Sequence, residues 1–190
     1  MRLPFADNEI KHDGTGLSLT RPNASLLESY REACAETWTH IHNRYILHDP
    51  LKFEEWQHTI FQTFEDRFCG KNLPDGYYPS VMLWAQREGS FIGAVNIRLQ
   101  QSEDLLTYGG TFGYFVRVSQ RGHGFGTALG LMGLEATRRL GVSPIAITLQ
   151  ESNLASCALA ERLPYASVER YDADVDGVVQ PVRRYWFSDK

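Results

Sequence analysis

Residues 120–141 read QRGHGFGTALGLMGLEATRRLG, with glycine at 122, 124 and 126 and helical spacing directly after. Glycine inside a helix costs roughly 1 kcal/mol relative to alanine, so a plain structural helix would not begin this way. The flanks give the stretch its meaning. TFGYFVRV (111–118) reads as a strand running into the glycines, the helix 124–140 stops at Gly141, and IAITL (145–149) is a short buried strand. Two strands joined through a helix form a βαβ crossover, which predicts a parallel pair.

The remaining chain organises around that unit. GLSLTR (16–21) alternates and predicts a first strand. Asn23 or Ser25 is placed to cap a helix over 24–46, along which Leu26, Leu27, Tyr30, Cys34, Trp38, Ile41 and Tyr45 recur near the helical period. Asp49-Pro50 begins a second helix, in which Trp56, Ile60, Phe64 and Phe68 recur every fourth residue until Gly70. VMLWAQ and FIGAVNIRL, joined by Arg87–Ser90, predict a β-hairpin, and 101–110 a polar loop. Asn153 is placed to cap a helix reaching about Leu163, and the tail 166–187 reads as two strands around Asp176-Gly177. The order β-α-α-β-β-β-α-β-α-β-β predicts one α+β domain over 1–190. Its mixed sheet is mostly antiparallel, contains one parallel pair, and carries helices on both faces.

Composition sets the outer limits. The 190 residues are 43% hydrophobic and 22% charged, ordinary for a globular chain, with a net charge of −4. No basic run supports nucleic-acid binding, whereas an acidic balance leaves cationic amines open as substrates. Cys34, Cys69 and Cys157 are odd in number and form no CxxC pair, so neither a disulfide framework nor a zinc site is expected. His40, His42, His48 and His58 are numerous enough to resemble ligands, but His40 and His42 point to different sides of a helix, and no metal is expected. No apolar run is long enough for a membrane span or a signal-peptide core, so a cytoplasmic address is the expectation.

Bare backbone at a helix start suits an anion, because the first N–H groups lack partners and carry the positive end of the dipole. A Walker A loop is excluded: before Gly70-Lys71 the first glycine position holds Glu65. A dinucleotide fingerprint is also excluded, since Leu129 stands where the third glycine belongs. Arg121–Gly126, RGHGFG, instead resembles the [Q/R]xxGx[G/A] signature of the GNAT N-acetyltransferase superfamily. LQESNLAS (149–156) extends the likeness, with Asn153 and Ser156 at the family's asparagine and small-residue positions. NLPDGYYPS, GAVNIRL and GGTFGYFVR further resemble a bacterial branch of predicted acetyltransferases.

The resemblance implies a GNAT fold in which the strand at 111–118 splays from that at 145–149 around acetyl-CoA, with no metal. It implies that the backbone from Gly122 through His123, Gly124, Phe125 and Gly126 to Thr127 cradles the pyrophosphate beside Arg121. Phe115, Val116 and Val118 would pair with the pantetheine amides, and Asn153 and Ser156 would touch the pantetheine side. The implied reaction moves an acetyl group directly to a primary amine of a small molecule or peptide. Dimerisation, common in the superfamily, is an expectation of the same kind.

The catalytic groups are less defined. Where the family often has a tyrosine acid, seven residues after the asparagine, this chain has Ala160. The candidates are Glu151 as base, Tyr165 as acid and Tyr114 in the acceptor cleft beside Asn96. Glu103 and Asp104 are placed to meet a cationic amine. Two other readings remain open: a non-catalytic acyl-CoA-binding module, and a nucleotide-dependent transferase using the same turn.

Overall fold

The computed structural model describes residues 3–37, 48–175 and 177–190. Trp38, His40, Ile41, His42 and Tyr45, on which part of the first helix prediction rested, and Asp176 of the tail turn lie outside the described residues.

Five antiparallel strands form the first sheet in the order β1-β2-β3-β4-β5: Lys11–His12, Leu17–Thr20, Ser80–Arg87, Ser90–Arg98 and Phe112–Val116. The two-residue β1 carries no sequence signal. The β3–β4 hairpin turns through Glu88 and Gly89, both at positive φ (51° and 76°), which suits a two-residue loop whose twist matches the strands. Helices cover both faces. α5 (Phe125–Arg139) packs on one through Leu129, Met132 and Leu134, against Val95, Ile97 and Phe112. α1 (Leu27–Thr37), α2 (Phe53–Trp56) and α3 (Ile60–Cys69) cover the other, where Tyr30, Ile60 and Phe64 meet Trp84 and Phe91.

The second predicted helix is divided. Asp49 accepts from the Leu51 N–H at 3.0 Å with Pro50 following, but the chain breaks after Trp56 and restarts at Ile60. The Trp56 indole donates to the Asp49 carbonyl at 2.7 Å and folds the segment back on itself. Gly70 ends α3 at φ 68°. Part of the predicted polar loop is the short helix α4 (Glu103–Thr107), where the Ser102 hydroxyl accepts from the Leu105 N–H at 3.2 Å.

The predicted single mixed sheet is two sheets. β6 (Ile145–Gln150), β7 (Tyr165–Val175) and β8 (Val178–Phe187) form a separate antiparallel sheet in the order β6-β8-β7. β5 and β6 meet only at their N-terminal ends. There Thr111 donates its N–H to Ala146 O at 2.7 Å, and its hydroxyl donates to Pro144 O and accepts from the Ala146 N–H. Beyond that clasp no ladder joins them among the described residues, and the two strands diverge. The β4–β5 ladder keeps one register from Gly93↔Val116 to Ile97↔Phe112 without a bulge.

Candidate active site

A cleft of about 740 Å³ opens where β5 leaves β6. Tyr114, Phe115 and Val116 form one wall; Asn153, Ala155, Ser156, Ala158, Leu159 and Arg162 form the other, along α6 (Leu154–Ala160) and just past it. Arg121, Gly122, Gly124, Gly126 and Thr127 close the end above the α5 N-terminus.

The glycines of the opening stretch divide by task. Gly122 and Gly124 sit at φ 82° and 79°, a conformation L side chains rarely adopt, with open space where a Cβ would stand. They turn the chain so that α5 starts at Phe125. The N–H of Ala128 is already taken by Gly124 O at 3.2 Å, which leaves those of Phe125, Gly126 and Thr127 as the free donors of the first turn. Gly126, Gly130 and Gly133 have ordinary backbone. A Cβ on them would lie 2.4 Å from Leu159, 2.9 Å from Leu163 and 2.9 Å from the Phe112 ring respectively. These three glycines let α6 and the sheet approach α5, so half of the glycine density serves packing.

The cleft's charged lining consists of two arginines, Arg121 and Arg162. Arg121 Nε donates to Val116 O at 3.3 Å, placing the guanidinium over the end of β5. Two positive groups beside free helix-terminal N–H donors make this an anion site. At the two ends of the β4–β5 ladder, Arg98 N–H donates to Thr111 O and Arg117 N–H to Ile92 O. By the alternation of an antiparallel ladder, the backbone N–H and C=O of Tyr114 and Val116 then face the cleft, and those of Phe115 face β4.

Of the predicted cofactor residues, Phe115, Val116, Arg121, Gly122, Gly124, Gly126, Thr127, Asn153 and Ser156 come together here. The other three do not line it: His123 faces a different hollow beside Gly14 and Arg87, Val118 opens a short 3-10 turn, and Phe125 buries its ring in the core while its backbone N–H stays among the free donors of the α5 N-terminus. Asn153 also has a structural task, since its side chain accepts from the Ser156 N–H at 3.2 Å and caps α6. Arg162 was missed by the sequence reading, although Ala155, Ala158, Leu159 and Arg162 share one face at helical spacing.

The catalytic candidates separate. Glu151 accepts from Arg183 Nε at 2.8 Å and lies 3.5 Å from Arg170, outside the cleft lining. Tyr165 lies 5.3 Å edge-on to Tyr185 at the start of β7, and it too is outside the lining. Ala160 is fully buried in the core. Tyr114 does line the cleft, and burial pushes its phenol well above the usual range, keeping it a neutral proton donor. Cys157 is buried, its thiol directed at Gln150 O (3.6 Å) and pushed up by burial, the environment of an inert cysteine. Among the described residues no cluster of three or more His, Cys, Asp and Glu could hold a metal ion, and no helix is long and apolar enough to cross a membrane.

Comparison with solved structures finds the same architecture. RimL, a ribosomal L7/L12 alpha-N-protein acetyltransferase in complex with coenzyme A, superposes with a TM-score of 0.61 at 16% identity, covering 90% of this chain and 93% of that one. The microcin C7 self-immunity acetyltransferase MccE, in complex with acetyl-CoA and AMP, gives 0.60 at 16% identity, covering 90% and 91%. Mycobacterium smegmatis RimJ, in complex with a CoA-disulfide, gives 0.62 at 15% identity, covering 90% and 81%. No curated protein matches the sequence. The model of the acetyltransferase (GNAT) family matches residues 26–165, most of the chain, and the protein belongs to that family.

Proposed function

We propose that the protein transfers the acetyl group of acetyl-CoA to a primary amine, with the donor held in the β5/β6 cleft. The observation that carries this reading is the cleft itself: free N–H donors at the α5 N-terminus, two arginines, and an unpaired strand edge, all along one groove. The pyrophosphate belongs at Gly122–Thr127 and the pantetheine along Tyr114 and Val116, whose outward N–H and C=O can replace the missing ladder with β6. Acetyl-CoA supplies a thioester carbon as electrophile. The neutral amine attacks that carbon; the new C–N bond forms, the C–S bond breaks, and the electron pair leaves on sulfur. The Tyr114 hydroxyl, which makes no hydrogen bond among the described residues, is placed to donate to the departing sulfur, and the proton lost by the amine passes to solvent.

Calorimetry with acetyl-CoA and a free-thiol assay over a panel of amines test this reading. Tyr114→Phe is expected to lower kcat tenfold or more with acetyl-CoA affinity nearly unchanged. Absence of acetyl-CoA binding in the wild type would refute the assignment of the cleft. The displacement of Glu151 and Tyr165 from the cleft favours, as a second reading, an acyl-CoA-binding module. Acetyl-CoA binding without turnover on any amine would select it.

A further inference from the structure

We propose that a polar cavity on the α3 side of β4 is the acceptor pocket, that Asn96 binds the acceptor there, and that Gly113 is the aperture to the thioester. The inference rests on the reading of the β5/β6 cleft as the donor site.

The cavity, of about 320 Å³, lies among β3, β4 and α4, and its lining includes Tyr77, Tyr78, Ser80, Asn96 and Asp104. Asn96 is only 9% exposed, and its amide makes no hydrogen bond among the described residues. An amide fixed on a central strand, open to the cavity it lines and without a protein partner, is placed for a ligand.

Gly113 stands opposite Asn96 in the β4–β5 register, and the two share a sheet face. Glycine weakens a strand interior and needs a reason there. Gly93, Gly126, Gly130 and Gly133, the other glycines inside described strands or helices with ordinary backbone, would each bring a Cβ within 3.0 Å of a neighbour. Gly113 would not: its φ is ordinary and nothing lies within 4 Å of the position of its Cβ. The fold has no need of a glycine at this point, which leaves close approach of a ligand. Tyr114, the next residue, lines the donor cleft. β5 therefore runs from Gly113, paired with Asn96 of the cavity wall, straight into the donor cleft.

The lining also selects the acceptor. Asp104 is its one carboxylate, against the guanidiniums of Arg67 and Arg98. Arg98 is committed to the carbonyls of Gly109 and Gly110 at 2.8 and 2.9 Å, so it is fixed in place. A polyamine would have to carry further positive charge past these arginines. A singly charged amine with a carbonyl next to it fits the mixture of amide, hydroxyls and one carboxylate, and the first residue of a peptide is the model for that class.

The test uses the full chain, with Ala-, Ser- and Met-initiated dipeptide amides and spermidine as acceptors and free thiol as readout. Valine is well suited to a strand, so Gly113→Val is expected to keep its melting temperature and to bind acetyl-CoA within threefold of wild type. Its kcat/KM for the dipeptide amides should fall at least thirtyfold. Asn96→Ala should raise the acceptor KM tenfold or more without changing acetyl-CoA affinity, and it decides the matter if Gly113→Val fails to fold. Spermidine should be at least tenfold poorer than the best dipeptide amide.

Undiminished transfer by Gly113→Val, loss of its acetyl-CoA affinity, an unchanged KM in Asn96→Ala, or spermidine as the best acceptor would overturn the proposal. Wild-type acetyl-CoA binding without transfer to any α-amine would overturn it alone. Failure of the wild type to bind acetyl-CoA would remove the donor-cleft reading and this inference with it.

Discussion

Arg183 donates through Nε to Glu151 Oε1 at 2.8 Å, while its Nη1 reaches Glu161 at 3.0 Å. One guanidinium on β8 thus ties the end of β6 to the residue after α6, and the carboxylate nearest the splay becomes part of that brace. Engaged by Arg183 and outside the cleft lining, this carboxylate is not placed to take a proton from an amine at the thioester. We therefore expect Glu151→Gln to change kcat/KM by less than about threefold. A general base normally contributes on the order of 10²–10⁴-fold, so a loss of that size in steady-state kinetics would restore Glu151 to the chemistry.

With Glu151 committed elsewhere, the lining of the donor cleft holds no carboxylate and no imidazole among the described residues. The fraction of neutral amine should then be set by the acceptor itself. For an α-amine with a pKa of about 8, kcat/KM is expected to rise about tenfold per pH unit below that value and to level above it. Acceptors of lower pKa should move the whole curve to lower pH. A rising limb that stays near pH 6.5 whatever the acceptor would instead identify an enzyme base.

The glycines of α5 give a paired prediction. Gly133→Ala places a Cβ 2.9 Å from the Phe112 ring and 3.1 Å from Val95 Cγ1, neither of which can swing aside. Overpacking of about 1–3 kcal/mol should exceed the helix-propensity gain of about 1 kcal/mol, so denaturation should show net destabilisation with acetyl-CoA affinity retained. At Gly126 the Cβ meets only Leu159 Cδ1, the end of a flexible side chain that itself lines the cleft. Gly126→Ala should leave stability nearly unchanged and weaken acetyl-CoA binding, and Leu159→Ala should restore the affinity. Equal effects of the two alanines on both measurements would contradict the division of tasks among these glycines.

Local signals made the elements legible. Glu88-Gly89 dictated the hairpin, Asp49-Pro50 and Asn153 marked helix starts, and the glycine turn located the anion end of the cleft. What escaped depended on partners distant in sequence. Arg183 lies 32 residues from Glu151, and no local pattern reports that pairing. The crossover order of 111–149 reads only as a parallel pair; that the pair splays came from the family resemblance, and that Thr111 alone clasps Ala146 before it does so is reported by no local pattern. Gly122, Gly124 and Gly126 look alike in sequence; only the left-handed φ of the first two and the proximity of Leu159 to the third separate turn from packing. Tyr165 was assigned by its place after Asn153, yet Tyr185 from the last strand determines where its ring lies.

His48 provides a stability test away from the cleft. Its Nδ1 lies 2.7 Å from the Tyr30 hydroxyl, and its ring packs between Trp56 and Phe64 at 5.0 and 5.7 Å. Burial, followed by the nearby positive charge of Arg67, lowers its pKa from 6.5 to about 4. The folded protein therefore keeps the ring neutral to about pH 4, while the unfolded chain takes up the proton near pH 6.5. Between those values the unfolded state binds more protons, so stability falls as the pH drops through 6.5 and is restored as it rises. At about 1.4 kcal/mol per pH unit over that window, the loss approaches about 3 kcal/mol. His48→Gln has no such proton to take up, and the slope of its unfolding free energy between pH 6.5 and 4 should be shallower than wild type. Parallel slopes in urea titrations of the two proteins would show that other groups carry the acid sensitivity.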